Sequence, residues 1–108
     1  MADEETPHIV IAAFKCQTGK LKRLIKEGCD VNQATKEGWT PAFVAAQNGQ
    51  MAVLELLIKA ACDVNQAAKD GATPALVAVQ NGETAALELL VKEGCDVNQA
   101  TELSLIHI

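Results

Sequence analysis

Residues 30–62 read "DVNQATKEGWTPAFVAAQNGQMAVLELLIKAAC" and residues 63–95 read "DVNQAAKDGATPALVAVQNGETAALELLVKEGC". The two stretches agree at 22 of 33 positions without a gap. A third "DVNQAT" begins at Asp96, and upstream "IAAFKCQTGKLKRLIKEGC" keeps the same frame. Ile11, Ala12 and Ala13 fall on Val44, Ala45 and Ala46, while Leu21, Leu24 and Ile25 fall on Leu54, Leu57 and Ile58. Self-similarity at a fixed period of this length marks a repeat architecture. The frame divides the chain into an atypical end unit (1–29), two full units (30–62 and 63–95), the start of another (96–102) and a tail outside the pattern (103–108).

Each unit reads as two helices and a turn. Thr40-Pro41 and Thr73-Pro74 are helix starts: the Thr hydroxyl accepts from an orphan amide, and Pro at the first helical position loses no hydrogen bond. Asn48-Gly49 and Asn81-Gly82 stop that helix, since Gly readily takes the left-handed conformation. The second helix carries Leu54, Leu57 and Ile58 on one face, repeated as Leu87, Leu90 and Val91. A Gly/Asp/Asn turn in "GCDVNQA" brings the chain back. Neither helix buries its apolar face alone, so the units must stack into an all-α, quasi-one-dimensional solenoid. Small residues at 45, 46 and 78 permit close helix approach.

Composition agrees. Hydrophobic residues make up 49% of the 108, with three aromatics (Phe14, Trp39, Phe43), so the core is small and aliphatic. The net charge of −5 argues against nucleic acid as a partner. No apolar run approaches the ~18 residues of a membrane span. The acidic start "MADEE" is unlike a secretory signal.

"GWTPAFVAAQNG…LELLIKAACDVNQ" and "GATPALVAVQNG…LELLVKEGCDVNQ" resemble ankyrin repeats, from residue 9 to about 102. The resemblance implies L-shaped units of antiparallel helix pairs with hairpin loops projecting from them. It implies a monomeric, non-catalytic module without cofactor that binds another protein through the concave helix face and the loop tips. An ankyrin segment that targets or regulates a larger enzyme or receptor is the alternative. Departures from the family pattern carry expectations. Ala42-Phe43 and Ala75-Leu76 replace the usual Leu-His, so the loops are expected to be held by apolar packing. Ala61 stands where the family has Gly, at a cost of about 1 kcal/mol if that site is left-handed. Gly19 falls three residues later than the period requires, which predicts a longer first helix and a shorter second one in the end unit.

The resemblance nominates Lys36, Glu37, Trp39, Gln47 and Asn48 as partner contacts, with Lys69, Asp70, Ala72, Gln80 and Asn81 one unit on. Trp39, the single Trp, is either an interface anchor or packing against a neighbouring loop. Asn32, Asn65 and Asn98 each follow a Leu by eight residues, a pattern like the ankyrin site of a cytosolic asparaginyl hydroxylase; a structural turn role is the plainer reading. Five of the nine basic residues lie between Lys15 and Lys26, as a docking patch for an acidic partner or as the solvated face of an end unit.

Other constellations are weak. The four Cys residues contain no C-x-x-C pair, so zinc is not indicated. Cys29, Cys62 and Cys95 recur at the period. Stacked helices sit about 8–10 Å apart, too far for a disulfide between equivalent positions. These residues read as small buried apolar side chains in a reducing compartment such as the cytoplasm. A redox role would require reactive thiols. His8 and His107 form no catalytic arrangement with the repeating Asp residues, and no catalytic or metal-binding residue is nominated. The tail "LSLIHI" (103–108) is too short and apolar for a cap and resembles the translation of a transposase adapter end used in shotgun sequencing. The expectation is that the natural array continues beyond Glu102, and that this chain frays from its C-terminal end.

Overall fold

The computed structural model describes residues 6–93. Cys95, Asn98 and the 103–108 tail, with the expectations placed on them, lie outside the described residues. Among the described residues six helices follow in order: α1 (His8–Phe14), α2 (Thr18–Lys26), α3 (Pro41–Gln47), α4 (Met51–Lys59), α5 (Pro74–Gln80) and α6 (Thr84–Lys92). First helices have seven residues and second helices nine, at a spacing of 33 throughout.

The start signals work as read. Thr40 Oγ1 accepts from the Phe43 N–H at 3.1 Å and Thr73 Oγ1 from the Leu76 N–H at 3.2 Å. Both hydroxyls are buried, so each bond satisfies a helix amide that no water reaches. The stop differs in the end unit. Helix α1 is no longer than α3 or α5, and α2 is no shorter than α4 or α6, contrary to the expectation from Gly19. Cys16 occupies the place of Gly49 and Gly82 and takes the same left-handed conformation (φ 55°). The turn therefore closes where the period puts it, and Gly19 becomes an ordinary position near the start of α2.

The core runs between the two layers of helices. Val10, Ala12, Ala13, Val44, Ala45, Ala46 and Ala78 are wholly buried on the first helices, against Leu21, Val53, Leu54, Leu57 and Leu90 on the second. Helix α3 packs broadly on both α1 and α5, whereas α2, α4 and α6 touch one another less. Small residues on the first helices allow that closeness, and the tighter layer is the inner side of the stack. In the third unit Leu90 is buried, Leu87 half-buried and Val91 42% exposed.

The loops follow one plan. Thr35 N–H donates to the Trp39 carbonyl (3.1 Å) and Gly38 N–H to the Thr35 carbonyl (2.9 Å); Ala68, Ala72 and Gly71 repeat this at 2.8 and 2.9 Å. Asp30 and Asp63 accept from the N–H of Asn32 and Asn65, both at 2.9 Å, which makes the Asx turns. Successive loops are tied by polar bonds rather than by apolar packing alone. Lys69 N–H donates to the Glu37 carbonyl (2.9 Å), Asp63 N–H to Asn32 Oδ1 (2.6 Å) and Gln66 Nε2 to the Asn32 carbonyl (3.3 Å). Backbone and Asn groups thus supply the loop-to-loop bonds for which no His is present.

Candidate functional site

Two groups of exposed side chains recur at the period. The first lies on the loop tips. Lys36 and Glu37 are exposed, as are Lys69 and Asp70 one unit on. Each tip pairs one cation with one anion, so the edge presents alternating charge. Gly38 (φ 85°) seats one tip on the next: a Cβ there would lie 2.9 Å from the Lys69 nitrogen and 3.0 Å from the Ala68 Cα. With the Lys69–Glu37 backbone bond, this close approach holds the two tips as one edge. Asp70 Oδ1 accepts from the Ala72 N–H at 3.0 Å and rigidifies the second tip.

Trp39 is half-buried, not splayed into solvent. Its ring lies parallel to that of Phe43, with centroids 6.2 Å apart, and the Trp39 backbone N–H donates to Thr35 Oγ1 at 3.2 Å. One face therefore belongs to the fold while part of the ring stays accessible. Ala72, its equivalent, is half-buried without a ring to offer.

The second group is a ledge at the C-terminal ends of the first helices. Gln47, Asn48, Gln80 and Asn81 are exposed there. Asn81 Nδ2 donates to the Gln47 carbonyl at 3.1 Å, which joins the units along the ledge. The helix surface between tips and ledge is closed: every residue from Pro41 to Ala46 and from Pro74 to Ala78 is buried. Tips and ledge are thus two patches beyond opposite ends of the first helices, each helix about 10 Å long. Phe14 and Lys15 extend the ledge into the end unit, 33 residues before Gln47 and Asn48. Phe14 is 45% exposed and was missed by sequence reasoning. Carrying the nominated positions back by one period would have found it.

The repeating Asn is structural at Asn32, whose amide oxygen accepts the Asp63 bond. Asn65 is exposed. The cysteines depart from the expectation of burial. Cys16 and Cys29 are exposed and Cys62 is half-buried, all three as free thiols. All three lie beyond the helix ends, and of them Cys62 still packs partly against the core. Burial, with Asp63 adding to it, pushes the Cys62 thiol up to about 11 against an opposing backbone hydrogen bond. At neutral pH it is a thiol and a poor nucleophile.

Among the described residues no three His, Cys, Asp or Glu side chains are grouped to hold a metal ion. None of the described helices is long and apolar enough to cross a membrane. The arrangement can hold a macromolecular surface through rigid polar edges and two partly exposed aromatic rings. A search of curated protein sequences gives no match. The family model "Ankyrin repeats (3 copies)" matches residues 9–101. With its two-helix units, Thr-Pro starts and interlocked loops in that same span, the chain belongs to the ankyrin repeat family.

Proposed function

We propose that this array binds a partner protein in a two-point grip, with the loop tips Lys36, Glu37, Lys69 and Asp70 at one end and the ledge Phe14, Gln47, Asn48, Gln80 and Asn81 at the other. Ankyrin repeats are generally protein–protein interaction modules, and membership of that family supports the reading. The observation that carries the reading is the pre-organisation of both patches. Inter-unit bonds from Lys69 to Glu37 and from Asn81 to Gln47 hold them before any partner arrives, so little side-chain and loop ordering is lost on binding. Phe14 supplies an apolar anchor at the edge of the ledge, and the exposed part of Trp39 supplies one beside the tips. Free thiols at Cys16 and Cys29 support a reducing compartment.

Site-specific photocrosslinkers test the reading. Placed at Gln47 and Lys69, they are expected to capture the same partner. Placed at Glu88 and Glu93 on the outer side of α6, they are expected to capture none. Capture from Glu88 and Glu93 alone would sink the two-point grip.

A further inference from the structure

A trough runs along the outer layer, away from tips and ledge. Between α2 and α4 lie two adjoining depressions of about 250 and 240 Å³. They share Lys22, Leu56 and Lys59, so they form one continuous trough. Its floor includes the half-buried Leu56 and Ile25, and its rim includes the exposed Lys22, Lys26 and Lys59. Glu55 stands at the Thr18 end.

The charge on α2 is not explained by folding. Its sequence TGKLKRLIK contains four cations and no acid, whereas MAVLELLIK (α4) and TAALELLVK (α6) each balance one Glu with one Lys. Solvation of an end unit needs charge of either sign, not of one sign. Arg23 and Lys26 in the last turn suit the helix dipole, but Lys20 lies in the first turn and Lys22 at the middle of the helix. The pairs Lys20–Arg23 and Lys22–Lys26, three and four residues apart, repel by a few tenths of a kcal/mol each. A concentrated positive stripe over an apolar floor, in a chain of net charge −5, is a complement to something acidic.

We propose that the α2–α4 trough docks an acidic peptide segment whose apolar side chain enters between Leu56 and Ile25, and whose carboxylates pair with Lys22, Lys26 and Lys59. Glu55 sets the direction, with the carboxylate-rich end of the ligand toward Lys26 and away from Thr18. A lipid surface fits less well, because the trough is a narrow depression between two helices and Glu55 stands among its cations. The proposal concerns a different face from the two-point grip, and either can fail alone.

The probe is a fluorescein-labelled hexapeptide of two leucines with four flanking aspartates, titrated into the 108-residue chain and followed by anisotropy. Binding is expected, with methyl NMR shifts at Leu56 and Ile25. Lys22→Glu with Lys59→Glu should weaken it by about tenfold or more, and Lys22→Gln with Lys59→Gln by less. All four substitutions fall on exposed side chains, and circular dichroism checks that the variants fold. No binding to the wild-type chain, equal binding to the Glu variant, or shifts confined to the ledge would each overturn the proposal. So would binding to phosphatidylserine vesicles without binding to the peptide.

Discussion

Asn32 Oδ1 accepts the backbone N–H of Asp63 at 2.6 Å, across 31 residues of chain. The bond couples the turn of one unit to the turn of the next. In a linear array the inter-unit terms decide whether units fold together. Asn32→Ala removes the acceptor but leaves the backbone carbonyl that receives Gln66 Nε2. The expected loss is about 0.5–1.5 kcal/mol in chemical denaturation. Gln33→Ala, at an exposed neighbour, is the control. Equal losses in the two variants would remove the coupling role.

Two non-glycine residues are held left-handed, Cys16 at φ 55° and Ala61 at φ 62°, and both are exposed. Glycine occupies the equivalent places in other units, as Gly49, Gly82 and Gly28. An L-residue there costs about 1–2 kcal/mol, part of which Gly returns through its looser unfolded chain. Ala61→Gly and Cys16→Gly should each stabilise by about 0.5–1 kcal/mol. Gly38→Ala should go the other way, by about 2 kcal/mol or more, because its Cβ would meet the Lys69 and Ala68 backbone. Thermal melts of the three variants check the signs.

The period carried nearly all of the fold. Six helices fall where a spacing of 33 puts them, because stacking requires every unit to repeat the same geometry. Where sequence reasoning failed, it trusted one residue type over the period. Gly19 reads as the stop because Gly favours a left-handed turn, yet Cys16 supplies that turn. Cys29 reads as core because it recurs, yet recurrence marks a place in the unit and not burial. Trp39 was legible as a special residue, but its stacking on Phe43 was not, since the ring pair spans the loop and the helix. The pairing of tips and the closed surface between tips and ledge arise from how one unit docks on the next, which the sequence of a single unit does not spell out.

Cys62 offers a pH test. Its thiol is raised from 9.0 to about 11, first by burial and then by Asp63. The folded state therefore holds its proton more tightly than the unfolded state. The resulting stability is complete below about pH 9 and is lost as pH rises from there toward 11. Cys62→Ala should flatten that part of the profile. Asp63→Asn keeps an acceptor for the Asn65 N–H and should lower the Cys62 value. With the other cysteines replaced by Ser, disulfide-exchange labelling of Cys62 at pH 8 should be slow and should accelerate in denaturant. A labelling rate equal to that of a chain retaining only the exposed Cys16 would refute the assignment.

Phe14 and Trp39 separate binding from folding. Phe14 is 45% exposed at the end of α1, so truncation removes little from the core. Phe14→Ala should cost less than about 1 kcal/mol of stability. If the ledge grips a partner, the same change should weaken binding by more than about 1 kcal/mol. Trp39 is half-buried on Phe43, so Trp39→Ala should lower both stability and affinity. A comparison of the two variants against a crosslinked and identified partner, with stability measured in parallel, decides between anchor and packing. Normal affinity in the Phe14 variant would remove the ledge from the interface. Affinity loss in the Trp39 variant that disappears under conditions restoring full folding would reduce Trp39 to packing.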